Sequence, residues 1–279
     1  MNVINSQIIS EKLYQNTLNS PISFNGVGIH SGKAVSMTLF PADDDFGIVF
    51  KRIDLDEDNY VKVKPENIYF SKYCSKLKNI HGVYVSTVEH LLATLHSFDI
   101  NNVLIEVNSP ELPAMDGSSY EFTKRLMEVG LQIQSKQKKF LKIVKKVSIK
   151  EGVRSIKVLP SNHLSFSIKI NFSNTLIGKH QYDYIHNTQN FIDEICYART
   201  FCISKDVSKL RAAGFGLGGN LNNVIVVEDN KILNDTGLRC NKEFVKHKIL
   251  DCIGDLYMSG FPLLGSIYAT QPGHELNNK

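Results

Sequence analysis

The sequence predicts an α+β protein made of two domains of related topology, each a β-sheet layered against α-helices. Three observations predict it. Strand-like sequence gives way to helix-like sequence once before residue 135 and again after residue 140. A polar, lysine-rich stretch at residues 134–139 separates the two runs, as a linker would. The order sheet, helix, strand, helix then appears in each half, the pattern of a sheet packed by helices. The expected domains are residues 1–135 and 140–279, with the cleft between them the default place for an active site.

In the first half, short apolar runs at residues 35–40, 47–50 and 60–63 read as strands. A helix is expected over 86–98, a buried strand over 102–107 and a second helix near 118–129. The second half opens with strands over 141–149 and 154–159. Leu164, Phe166, Ile168, Ile170 and Phe172 alternate with polar residues, the period of a half-buried strand. A helix near 189–196 precedes the glycine-rich GFGLGGN at residues 214–220. A strand at 224–227, a turn at 228–230 and a helix over 242–259 follow. The glycine run lacks the Lys-Ser/Thr ending of a phosphate loop and sits after a helix and before a strand. Tight turns account for it.

The 279 residues suffice for about two domains. A hydrophobic fraction of 42% and a charged fraction of 22% describe an ordinary globular protein. The formal charge of +4 is mild, and its one dense block is KQKKFLKIVKK at residues 136–146. That block reads as a linker entering an edge strand, where lysine blocks unwanted pairing. Recruitment to anionic lipid or nucleotide phosphate is the other reading. Cys74, Cys196, Cys202, Cys240 and Cys252 are odd in number and form no CxxC pair. Neither a disulfide framework nor a thiolate zinc site is legible, which suits a reducing cytoplasm. MNVINSQIISEKLYQ lacks the basic and apolar regions of a secretory signal. No apolar run is long enough to span a bilayer.

The most informative segment is HKILDCIGD, which places His247, Asp251 and Asp255 at i, i+4 and i+8 of an expected helix. Such residues share a face, a spacing used by metal ligands and also by ordinary surface pairs. In STVEHLLATLHSF, Ser86 and Glu89 fit a capping box, and His96 near the helix end suits the dipole as a cation. His30 and His81 sit in turn-like contexts, His81 solvated. His90, taken with His247 and Asp251, gives two imidazoles and a carboxylate. That set leaves a zinc ion one open position for water, as catalytic sites do. Glu89, directly before a ligand, is placed to accept a proton from that water. Pro272-Gly273 turns the chain to present His274 on a loop, either solvated or as an acid. Thr200 in ARTF is a candidate donor to a developing oxyanion, and Lys248 a source of positive charge.

STVEHLLATL, EVNSPELPAMDGSS, ARTF, LGGN, HKILDCIGD and GHELNNK, in this order, resemble the UDP-3-O-acyl-N-acetylglucosamine deacetylase (LpxC) family over most of the chain. The resemblance implies a zinc-dependent amidohydrolase that releases acetate in the committed step of lipid A synthesis, in the Gram-negative cytoplasm. It also implies two sheet-and-helix domains enclosing the active site. By motif, His90, His247 and Asp251 are the implied zinc ligands and Glu89 the general base. His274 is the implied acid or electrostatic catalyst, with Asp255 as its supporting carboxylate. Thr200 assists the oxyanion, Lys248 and Phe201 contact substrate, and His30 and Cys74 line an acyl passage. Zn2+ is the implied cofactor, and the same site also accepts Fe2+ as a reading. The expected partner is the small-molecule substrate alone, with no nucleic acid, and the expected state is a monomer. Two rivals use the same residues differently: an Fe(II) oxygenase, or a metal-free binding protein for nucleotide sugars or RNA.

Overall fold

The computed structural model describes residues 13–172 and 175–279. Most of the N-terminal segment weighed above as a signal, residues 1–12, lies outside the described residues. The chain is mixed α+β. Its first part runs β1 (Tyr14–Leu18), β2 (Ile22–Val27), β3 (Ala34–Pro41), β4 (Ile48–Arg52) and β5 (Tyr60–Lys62). A small sheet of β6 (Ile68–Tyr69), β7 (Lys76–Lys78) and β8 (Tyr84–Ser86) leads into helix α1 (Glu89–Ser97). Then come β9 (Val103–Val107), α2 (Tyr120–Val129) and β10 (Leu131–Gln137).

After β11 (Leu141–Lys142) the pattern restarts with β12 (Val147–Glu151), β13 (Arg154–Leu159), β14 (Leu164–Phe172) and β15 (Gly178–Ile185). A helical turn at Thr188–Asn190 continues as a π-helix over Phe191–Ile195. An inserted unit follows: β16 (Phe201–Ile203), α3 (Ser204–Ala212), β17 (Ile225–Glu228) and β18 (Lys231–Ile232). Helix α4 (Glu243–Tyr257), β19 (Leu263–Thr270) and α5 (His274–Asn277) close the chain. Among the described residues no helix is long and apolar enough to cross a membrane.

The two large sheets repeat one topology. The first has the order β2-β3-β9-β4-β5 and the second β12-β13-β19-β14-β15. In each, the central strand (β9 or β19) is antiparallel to one neighbour and parallel to the other. In each it follows a helix, α1 or α4. Alternation decides the faces: in β3, Val35, Met37 and Leu39 are buried while Ala34 and Ser36 are exposed. In β14, Leu164, Phe166, Ile168 and Ile170 are buried in the same way.

Helices α1 and α4 pack against each other, and Gly254 is why they pack closely. A Cβ on Gly254 would lie 2.0 Å from the carbonyl oxygen of Glu89. Only hydrogen fits there. The loop before α2 is held similarly, since a Cβ on Gly117, itself at φ +81°, would lie 1.8 Å from the carbonyl oxygen of Asn223.

Three expectations are corrected. Residues 134–139 are no linker through most of their length: Leu131–Gln137 is strand β10, antiparallel to β1. It is polar because its side chains hydrogen-bond to neighbouring segments, Gln134 Nε2 donating to Ala42 O and Lys136 pairing with Asp45. The capping box also fails. Helix α1 begins at Glu89 with Val88 as its cap residue and no side-chain cap. Ser86 belongs to β8, and its hydroxyl donates to Pro110 O. Finally, His96 is no charged helix end. It is buried beside His186, with Nδ1 and Nε2 2.8 Å apart, and Tyr257 packs edge-on against it. Burial, aided by Lys138, lowers its pKa to about 3.

Two outcomes follow from this packing. Gly254→Ala should destabilise the protein by about 1–3 kcal/mol, although alanine favours a helix over glycine by about 1 kcal/mol. Urea unfolding reads the sign; a gain in stability would mean the helices are not in this contact. The second concerns His96 and His186, both neutral in the fold because burial lowers their pKa. Below about pH 6.5 the unfolded chain takes up protons that the folded one refuses. Stability is therefore intact above that pH and falls as pH drops, by about 1.4 kcal/mol per unit for each imidazole. A His96→Gln/His186→Gln variant should show a shallower loss between about pH 7 and 5. Equal slopes in variant and parent would exclude this origin.

Candidate active site

The contact between α1 and α4 brings together side chains far apart in sequence. His90 lies in the first turn of α1, and Thr94 and Ser119 hydroxyls both donate to its carbonyl, each at 2.9 Å. His247 and Asp251 lie one turn apart on α4, on its buried face. Asp251 Oδ1 is 3.6 Å from His90 Nε2 and 3.4 Å from His247 Nε2. The two imidazoles meet edge to face, ring centres 5.1 Å apart. One ligand atom from each of the three residues falls within 4.8 Å of the others.

This set fits a divalent cation. Ligands about 2.0–2.1 Å from a tetrahedral zinc are about 3.4 Å from each other, close to both carboxylate–imidazole separations. Donor chemistry agrees. His247 Nδ1 faces Ala198 O at 3.1 Å, which turns Nε2 and its lone pair inward. Burial, only partly offset by Asp251, lowers the His247 pKa to about 3, so the ring is neutral. Burial works against the Asp251 carboxylate, but His247, Lys248 and His274 outweigh it and hold its pKa well below the usual value.

A second layer surrounds these three. Glu89 is 4% exposed. Burial pushes its pKa up, with His274 and His90 opposing. Its Oε2 accepts from the Ser75 amide at 3.0 Å, and its Oε1 lies 3.8 Å from His274 Nε2. His274 begins α5, with Nδ1 3.0 Å from Asp255 Oδ2. Burial resists charge on His274, but Asp255, Glu89 and Asp251 prevail and raise its pKa to about 10. Asp255 also accepts from Asn277 at 2.8 Å and from the Ser75 hydroxyl. Lys248 Nζ donates to Asp251 Oδ2 at 2.8 Å and lies 5.4 Å from the Phe201 ring centre.

A cavity of ≈ 390 Å³ opens onto this cluster, and Glu89, His90, His247, Asp251, Thr200 and His274 all line it. Phe201, Lys248 and His30 line it as well. His30, Tyr73, Thr200 and Phe201 also line a second cavity of ≈ 520 Å³. Its other walls include Val207, Leu210, Val224 and Val226 of the inserted unit. Asp255 stands behind His274. Cys74 is the one predicted site residue set apart: it is buried, its sulfur 3.6 Å from Ser71 Oγ, and its neighbour Tyr73 forms the wall. Burial raises the Cys74 pKa to about 11, so it is an inert thiol.

Sequence reasoning missed Ser75 and Glu111. Ser75 links the Glu89 and Asp255 carboxylates, yet the second serine of SKYCSKLKN has no spacing to mark it. Glu111 Oε1 accepts from His30 N at 2.7 Å and Oε2 from Ser31 N at 2.8 Å, which fixes the loop carrying His30. Its signal was available: a carboxylate between Pro110 and Pro113 in an apolar turn needs buried partners. Lys72 and Arg154, also unremarked, line the same cavity as His90 and His247.

Comparison with known proteins agrees with this site. The LpxC family, described as UDP-3-O-acyl N-acetylglycosamine deacetylase, matches residues 15–279. UDP-3-O-acyl-N-acetylglucosamine deacetylase of Neisseria meningitidis serogroup A is 42% identical over 270 residues, covering 95% of this chain and 88% of the relative. The enzyme of the same name from Campylobacter hominis is 41% identical over 265 residues, 95% of this chain and 89% of its own. That of Haemophilus influenzae is 41% identical over 267 residues, at 95% and 88%. A match along nearly the whole chain, with the helices that bear His90 and His247 inside it, leaves one assignment: this chain belongs to the LpxC family.

Proposed function

We propose that this protein hydrolyses the acetamide of UDP-3-O-acyl-N-acetylglucosamine, releasing acetate and the free 2-amino sugar in lipid A biosynthesis. The observation that carries the reading is the convergence of His90, His247 and Asp251 beside Glu89 and His274 in one cavity. We assign Zn2+ to the three ligands, since two imidazoles and one carboxylate leave an open position. When bound, the cation supplies Lewis acidity, lowering the pKa of a water and polarising the acetamide carbonyl.

The chain's own residues do the rest. Glu89, its basicity raised by burial, takes the proton of the attacking water. Oxygen adds to the carbonyl carbon, and the Thr200 hydroxyl donates to the oxyanion that develops. Lys248 is engaged with Asp251, so its part is to fix that ligand and add positive charge. His274, kept protonated by Asp255 and Glu89, gives its Nε2 proton to the departing amine as the C–N bond breaks. The apolar second cavity takes the acyl chain, with His30 and Phe201 at its entrance. Lys72 and Arg154 offer cations to the diphosphate. The repeated sheet topology supports two related domains, residues 1–135 and 140–279, with the site between them.

Purified protein given the acylated UDP-sugar should release acetate, stop with a chelator and recover with added Zn2+. Glu89→Ala and His274→Ala should each keep the fold and lose about 10²–10⁴-fold in kcat. Near-parental turnover by a folded, metal-loaded Glu89→Ala enzyme would refute the assigned base. Ser75→Ala should lower kcat about 10–100-fold with little change in KM, because it frees the carboxylates that orient His274. A KM effect alone would make Ser75 a substrate contact instead.

A further inference from the structure

The outer face of the second large sheet carries no helix-borne site, yet it is built for anions. On β12, β13, β14 and β19 the residues facing outward are polar or basic: Ser148, Lys150, Ser155, Lys157, Ser167, Lys169, Tyr268 and Thr270. Register sets them in two cross-strand rows. One runs Lys150, Ser155, Thr270, Lys169, and the other Ser148, Lys157, Tyr268, Ser167. Together with Lys146 they line a shallow trough of ≈ 570 Å³. Its lining among the described residues holds four lysines and no carboxylate. The nearby Glu151 is already paired with Lys279. Asp183, opposite Ser167, lies at the far edge on β15 and faces Gln181 at 3.4 Å.

The basic block at residues 136–146 divides at this point. Lys136 and Lys138 are consumed by Asp45 and Asp99, and Lys142 by Asn162. Lys146 instead turns to the trough. Edge strand β12 is flanked by two exposed apolar side chains, Val144 at 80% and Val153 at 77% exposure. Arg154, adjacent to Ser155 on β13, lines the cavity that holds His90 and His247, so strand alternation puts that cavity and the trough on opposite faces of the sheet.

We propose that this face docks the protein on an anionic phospholipid surface, with Lys146, Lys150, Lys157 and Lys169 against the headgroups and Val144 and Val153 at the interface. Charge chooses the partner class, because four uncompensated lysines cannot face a second copy of themselves. Side-chain type then separates lipid from nucleic acid. Among the described residues the trough holds no arginine fork for phosphates. The one aromatic ring among its described residues, Tyr268, is covered by Lys157 Nζ at 4.7 Å, leaving no free platform there for a base. Lysines on flexible stems beside exposed valines suit a diffuse, negatively charged interface. Lipid binding is measured without substrate, so it stands or falls apart from the deacetylase reading.

The test is sedimentation with vesicles of phosphatidylcholine alone or with roughly one-third phosphatidylglycerol. The parent should bind only the anionic vesicles, and added salt should release it. Each Lys→Gln change should weaken partitioning about fivefold, and K146Q/K150Q/K157Q/K169Q together by at least about a hundredfold. Turnover of soluble substrate and urea stability should stay at parental values. A Val144→Ser/Val153→Ser variant, with all charges retained, should also bind less. Absence of binding to anionic vesicles overturns the proposal. So does equal binding to neutral ones, undiminished binding by the quadruple variant, or retention by single-stranded RNA without retention by vesicles.

Discussion

Everything at the active site depends on how closely the backbones of α1 and α4 approach. Gly254 sits against the carbonyl of Glu89, and that contact sets where three neighbouring side chains end. Asp251 lies one turn before Gly254, and His90 directly follows Glu89. Their separation of 3.6 Å is thus a consequence of backbone packing rather than of long flexible side chains. His and Asp are short, so a shift of an ångström between helices would reach the ligand atoms almost undiminished. Interiors packed at crystal density resist such shifts.

The same packing creates an electrostatic conflict that the site uses. Three carboxylates, those of Glu89, Asp251 and Asp255, are buried within reach of His247, His274 and Lys248. Buried charge is tolerated only when paired, so each cation is assigned an anion. Lys248 goes to Asp251, and His274 goes to Asp255. Glu89 keeps a backbone amide from Ser75 and a more distant imidazole, the weakest support of the three. That ranking is why burial raises the Glu89 pKa while Asp251 stays far below its usual value. A poorly supported carboxylate beside a well-supported imidazolium is the division a base and an acid require.

How much of this was legible in the sequence differs by the kind of signal. Period-2 alternation gave β14 over Leu164–Phe172, and the strand expected over residues 154–159 also matches β13 to the residue. The i, i+4 spacing put His247 and Asp251 on one face of α4 correctly. Polar segments were harder. Helix α3 buries none of its residues, and no residue of β10 is fully buried, so neither bears an apolar stripe. Glu89 misled for another reason: Ser-x-x-Glu before an apolar run satisfies the capping pattern, but Thr87, at φ +58°, turns the chain so that the helix starts later. His96 looked like a helix-end cation because its neighbour in space, His186, is 90 residues away. Partners of that kind carry no local pattern.

The repeated sheet topology explains how two helices come to share one site. Each repeat ends in a helix followed by its central strand, and the two helices meet. Had the repeats stayed equivalent, each helix would offer the same groups to the other. Instead α1 contributes its N-terminal turn, with Glu89 and His90, while α4 contributes the middle of its buried face. The insertions diverge further. That before α1 carries Tyr73 and Ser75, which wall the cavity and tie the carboxylates together. That before α4 carries Phe201 and an apolar chamber. Asymmetry in the insertions therefore sets the polar cluster apart from the apolar chamber, while the shared framework holds both to one helix crossing.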